Sequence, residues 1–143
     1  MKSERDQIQE LMACYANAID AKDYDAISDC FAIGARAEYA GFTEPLEGPE
    51  AITAHVRRAV EPLAATQHMF GNFIIDIDAD QARLTCDIIA QHVRQESGGT
   101  ENFLAGGKYR VEARKQGGRW SFTLVSARTV WTDGNRNILP RSG

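Results

Sequence analysis

The sequence predicts an α+β domain: helices first, then a curved, mostly antiparallel sheet. Three observations carry this. Apolar residues recur at helical spacing through the first 60 positions, period-two alternation dominates after Phe73, and no βαβ alternation joins the two halves. Ile8, Leu11, Met12, Tyr15 and Ile19 form one stripe, giving a helix over Ser3–Ala21 with Ser3 as N-cap and Glu4 and Asp6 in the first turn. Asp23 caps a second short helix that buries Tyr24, Ile27 and Phe31, and an isolated strand follows over Ala35–Phe42. Gly48-Pro49-Glu50 opens a third helix whose inward residues are Ile52, Val56 and Val60, with Pro62 at its end. Strands are expected over Phe73–Asp78, Ala82–Gln95, Phe103–Lys115 and Arg119–Thr132. The turn at Asp78–Asp80, the loop Ser97-Gly98-Gly99 and the hairpin turn Gln116-Gly117-Gly118 separate them.

The 143 residues amount to one domain, 1–143, without repeat, linker or low-complexity stretch. Sixteen basic against twenty acidic residues leave a net charge of −4, with a pI near 5.4. That balance argues against nucleic acid as a partner, which requires a concentrated basic face. Apolar runs such as Phe73-Ile74-Ile75 are too short to span a bilayer, and the polar start carries no export signal, so a cytoplasmic location is expected. The odd set Cys14, Cys30 and Cys86 lacks CxxC spacing and reads as buried free thiols. Three scattered histidines without HExxH argue against a metal site, and no GxGxxG or Walker loop is present.

Strand alternation then separates the two faces of the sheet. Leu84, Cys86, Ile88 and Ala90 share the apolar face, which His92 continues. Trp120, Phe122 and Leu124 form the corresponding set on the last strand, extended by Arg128 unless a bulge turns it to solvent. Ala37 and Tyr39 face opposite to Arg36 and Glu38. A Tyr, a His and an Arg thus fall on faces that belong inside, which points to a wet pocket within the sheet's curve. Taken singly, His92 reads more readily as a satisfied core residue than as a pocket residue. By spacing alone Asp20 reads as a solvated acid ending the first helix, although it opposes the helix macrodipole. His68, just before the meander, reads as a loop histidine.

Four stretches change that reading: Ile8-Gln9-Glu10-Leu11 leading to Asp20, Leu46-Glu47-Gly48-Pro49-Glu50-Ala51, Gln67-His68-Met69-Phe70-Gly71-Asn72, and Gly106-Gly107-Lys108-Tyr109 through Gly118-Arg119-Trp120. With them the chain resembles the SnoaL-like branch of the nuclear transport factor 2-like superfamily, which includes scytalone dehydratase, bile-acid 7α-dehydratase and hexachlorocyclohexane dehydrochlorinase. The resemblance implies a cone-shaped fold of three helices closing a strongly curved sheet around one pocket. It places Asp20 and His68 on the catalytic Asp–His pair. Tyr15 matches a tyrosine of the bile-acid enzyme, Tyr39 one of the scytalone enzyme's tyrosines, and His92 lies close to that enzyme's second histidine. The chain departs from the dehydrochlorinase at Tyr15, where that enzyme has lysine, and at Val125, where it has arginine. It departs from scytalone dehydratase at Ile19.

The expected mechanism follows from a carboxylate fixing the imidazole tautomer. His68, oriented by Asp20, removes a proton beside an activating group, while Tyr15 or Tyr39 stabilises the oxyanion or departing hydroxyl. Tyr39, His92 and Arg128 position the substrate, and Phe70, Phe103 and Phe122 line the pocket for a small hydrophobic or aromatic molecule. The result is dehydratase-like β-elimination or a double-bond shift, with no cofactor. A polyketide-cyclase or ketosteroid-isomerase-like activity, a ligand carrier without turnover, and a small-subunit role beside a ring-hydroxylating dioxygenase are the alternatives. Ile89, Val93, Val125 and Trp131 are expected on the outer face as an apolar patch, hence a homodimer or homotrimer.

Overall fold

In the computed structural model, which describes residues 1–39 and 44–140, the first apolar stripe becomes α1 (Glu4–Asp20), burying Ile8, Met12, Tyr15 and Ile19. Ser3 caps it by accepting the Asp6 N–H at 3.0 Å. Cys14, two positions beyond buried Met12, points the other way and is exposed; Cys30 and Cys86 are buried, so the expectation of three buried thiols fails at Cys14. α2 (Tyr24–Asp29) is capped by Asp23 and buries Ile27. Phe31 belongs not to this helix but to β1 (Phe31–Glu38). The cause lies in the backbone next door: the Phe122 N–H donates to the Cys30 carbonyl at 2.8 Å and draws the chain into the sheet there. The Ala40–Phe42 end of the expected strand lies outside the described residues.

A two-residue strand, β2 (Leu46–Glu47), precedes α3 (Pro49–Val60), where Pro49 takes the first turn and Ile52, Val56 and Val60 face inward. The long strands are β3 (Ala65–Asp78), β4 (Gln81–Glu96), β5 (Gly99–Gln116) and β6 (Arg119–Gly134). β3 therefore begins eight residues before the expected start at Phe73 and takes in His68, which pairs across from Ala90. A short 3-10 turn, Arg136–Ile138, closes over the sheet's end, where Ile138 packs with Leu63 and Phe103. The six strands run β2-β1-β6-β5-β4-β3, all antiparallel except the parallel β1–β6 pair. Among the described residues no helix is long and apolar enough to cross a membrane.

The sheet's curvature can be read from one ring. Strands four places apart in a flat sheet stand about 19 Å apart. Yet the Tyr15 ring on α1 touches Phe31 of β1 and Phe122 of β6 at 5.6 and 5.5 Å, and Phe70 of β3 at 6.3 Å. The sheet must curl around α1 for β1 and β3 to meet the same side chain.

Bulges tune this curl and reset which residues face inward. In β3 the register slips between Gly71 and Ile74, with Asn72 at a left-handed φ of 56°. In β6, Thr123 and Val130 each lack a partner in β5. The bulge at Thr123 inverts the expected alternation: Trp120 and Phe122 point inward, then Val125 rather than Leu124, and Val125 is 1% exposed. Val125 is thus core, not outer surface. Of the remaining expected outer patch, Ile89 and Trp131 are exposed and Val93 is half-buried. Trp131 lies flat on Gly106, where a Cβ would come within 2.1 Å of its ring, so only glycine fits beneath it.

Candidate active site

Asp20 owes its position to the end of α1. Lys22 adopts a left-handed φ of 55°, its N–H bonds the Ile19 carbonyl at 3.0 Å, and the helix stops. The Lys22 ammonium then reaches the Glu61 and Leu63 carbonyls just past α3, at 3.1 and 2.8 Å. This ties the helix end down and presents Asp20 to β3. There, alternation puts Thr66, His68 and Phe70 on the inner face. Asp20 Oδ1 accepts from His68 Nδ1 at 2.8 Å and from the Thr66 hydroxyl at 3.0 Å, while Oδ2 accepts the His68 backbone N–H at 3.0 Å. Burial pushes the Asp20 pKa up. The bonds from the His68 ring and N–H, the imidazole's charge and the Thr66 hydroxyl more than offset it, and the carboxyl sits below the usual carboxylate range. An ionised carboxylate only accepts, so His68 carries a proton on Nδ1, and in the neutral ring Nε2 holds the lone pair.

His92, on the neighbouring strand, is held by the same logic. Its Nδ1 lies 2.9 Å from the Phe103 carbonyl, an obligate acceptor, so Nε2 is again the unprotonated nitrogen. Burial lowers its pKa, the Phe103 carbonyl partly opposes this, and nearby His68 lowers it further. The two imidazoles meet edge to face, centroids 5.9 Å apart. Opposite stand the phenols. Tyr15, buried in the core, shares a 2.6 Å hydrogen bond with Tyr39, whose ring stacks on His55 at 4.9 Å. Burial above all raises the Tyr15 pKa well beyond its ordinary value and that of Tyr39 to about 12, so both remain protonated at neutral pH.

A cavity of about 170 Å³ opens between these groups, walled by Tyr39, His68, His92 and Tyr109. Small inward residues on the same strands, Ala90, Ala105, Gly107 and Ala127, leave the space unfilled. Asp20, His68, Tyr39 and His92 are thus brought together as expected from the sequence, with Tyr15 reaching the cavity only through Tyr39. Phe70 packs between Tyr15 and Tyr109. Phe103 stands beside His92 but belongs to the cluster under the C-terminal turn, and Phe122 is buried in the core against Tyr15 and Phe31, away from the cavity wall.

Arg128 must be corrected. The bulge at Thr123 puts it in register with outward-facing Lys108 and leaves it exposed, so it borders the cavity's edge instead of pointing inward as expected. Tyr109 is the residue that sequence reasoning passed over. Two-residue steps back from buried Ala113 and Val111 lead to it, a signal obscured by the glycine pair before it. Among the described residues, no group of three or more His, Cys, Asp or Glu side chains is arranged to hold a metal ion.

A family model described as a SnoaL-like domain matches residues 2–126. The chain belongs to that family. No curated protein matches this SnoaL-like domain by sequence. Solved structures match by shape. A proposed scytalone dehydratase from Novosphingobium aromaticivorans is 20% identical with a TM-score of 0.83, covering 93% of this chain and 88% of its own. A proposed aromatic ring hydroxylase from the same organism is 24% identical, TM-score 0.81, with 93% and 94% covered. Hexachlorocyclohexane dehydrochlorinase LinA-type3 from Novosphingobium barchaimii is 18% identical, TM-score 0.78, with 98% and 95% covered. At these identities the likeness is one of fold.

Proposed function

We propose that this SnoaL-like domain is a lyase or isomerase that needs no cofactor and works by general-base proton abstraction. The observation that carries the reading is the 2.8 Å bond from His68 Nδ1 to a carboxylate that also accepts the His68 N–H and the Thr66 hydroxyl. Such a carboxylate holds the ring at a fixed angle and stabilises the imidazolium formed on proton uptake. His68 Nε2 takes a proton from a carbon beside a carbonyl. Tyr39, backed by Tyr15, donates to the oxygen on which the enolate charge develops. If a hydroxyl sits on the neighbouring carbon, the electron pair expels it as water, and the proton on His68 neutralises the departing oxygen. If none does, the same proton returns at a new carbon and the double bond has moved. The scytalone dehydratase-like and dehydrochlorinase folds among its structural relatives fit an elimination.

The test is incubation in D₂O with a panel of cyclic β-hydroxyketones and β,γ-unsaturated ketones, followed by NMR for deuterium uptake and by absorbance for the conjugated product. Turnover is expected on at least one class, falling by about 10²- to 10⁴-fold in His68→Ala. Undiminished turnover in a folded His68→Ala protein overturns the assignment.

A further inference from the structure

The cavity's polar groups are sorted by hydrogen-bonding sense. On one wall His68 and His92 each carry a proton on Nδ1, toward Asp20 and the Phe103 carbonyl, and turn an accepting Nε2 to the ligand. The same cavity is lined by phenols, which are donors first. Tyr15 is enclosed and has Tyr39 as its hydrogen-bond partner. With Tyr15 donating to Tyr39, the Tyr39 proton is left over for whatever occupies the cavity. Tyr109 has no hydrogen-bonding partner among the described residues, although its ring is fixed edge-on against Phe70 at 5.0 Å and it lines the same cavity. The residue is half-buried and lines the cavity, so its unpaired hydroxyl is available to a ligand oxygen there.

We propose that Tyr109 is a substrate-contacting catalytic residue, the second donor of a two-phenol clamp with Tyr39 that grips one uncharged carbonyl oxygen of the substrate. This deepens the general-base reading above and rests on it for the reaction, though not for binding. Both phenols share the cavity with His68, and their protons serve the oxygen on which charge develops. Burial above all, and then the nearby Tyr39, make Tyr109 harder to ionise, so it stays protonated far above neutral pH. Arg128 borders the cavity's edge with its register turned outward, so the polar groups that meet a ligand inside are the two imidazoles and the phenols. The reacting end of the substrate is therefore a ketone, aldehyde, ester or lactone, with any hydroxyl directed at the imidazoles.

The probe is 4-nitrophenolate, whose oxygen mimics the charge developed on the carbonyl and whose visible band reports binding. Saturable binding to the wild-type protein is expected, weakened about tenfold or more in Tyr109→Phe and in Tyr39→Phe, since a hydrogen bond to a charged acceptor is lost in each. Tyr→Phe keeps the ring and its packing, and thermal melting checks the fold. Independently, the ¹⁹F resonance of Tyr109 in 3-fluorotyrosine-labelled protein is expected to move when the probe is added. Equal affinity in wild type and Tyr109→Phe, or no binding to the wild type, overturns the clamp. The two proposals fail separately. Tyr109-dependent probe binding without proton exchange on the ketone panel removes the base and keeps the clamp. His68-dependent exchange with probe binding indifferent to Tyr109 does the reverse.

Discussion

On the outer side of the sheet, Asp87, Lys108 and Arg128 lie in one row across β4, β5 and β6. One residue away on the inner side, the matching row is Cys86, Tyr109 and Ala127. The same three strands thus present ions to water and neutral groups to the cavity. Outside, Lys108 pairs with Asp87 at 2.7 Å, Asn72 donates to the same carboxylate at 2.7 Å, and Arg128 stands in solvent. Inside, among the described residues, the site's carboxylate, Asp20, accepts three hydrogen bonds. Charge within the curl is kept only where it is fully engaged, because desolvation there is costly and water is not at hand to make up the difference. Polar chemistry inside is otherwise carried by Tyr15, Tyr39 and Tyr109, which burial keeps protonated, and by the imidazoles.

The difference can be broken hardest from the core that gives the inner face its shape. Phe122→Ala removes the ring against which Tyr15 and Phe31 pack, and is expected to cost about 3–5 kcal/mol in denaturant unfolding. Thr66→Val deletes one of the three bonds to Asp20 while keeping the volume. Turnover on whichever ketone the panel identifies should fall roughly tenfold, in kcat rather than KM, since Thr66 acts through the dyad. Acid unfolding compares the faces directly. Asp20 and Asp87 both have lowered pKa values, so each adds stability above the ordinary carboxylate pKa that is lost as the pH falls through its folded value. Melting curves between neutral pH and about pH 3 should flatten clearly in Asp20→Asn and only slightly in Asp87→Asn, because solvent already screens the outer pair. Smallest of all, Arg128→Gln should leave both turnover and melting temperature unchanged; a loss of activity would place its guanidinium in the site after all.

Local patterns made the helices, the faces of β4 and the inward positions of Tyr39 and His92 legible in the sequence. They sufficed where one period ran unbroken. They failed at β6, where the unpaired Thr123 exchanges inside for outside, burying Val125 and freeing Arg128. Bulges of this kind arise from the tertiary curl and leave no composition signature at Thr123. His68 was misplaced in a loop for a related reason. Gln67, His68 and Met69 do not look like a strand, and they extend only because β4 offers Gln91, Ala90 and Ile89 as partners. The Asp20–His68 pairing itself, 48 positions apart, was visible through resemblance alone; helix-end spacing had favoured a solvated acid.

β3 is the last strand of its sheet, and such a strand ordinarily offers its spare amides to any passing chain. At His68 that offer is withdrawn, because the outward N–H is already taken by Asp20 Oδ2. One carboxylate therefore serves two ends: it aims an imidazole on one side of the strand and blocks edge-to-edge association along it.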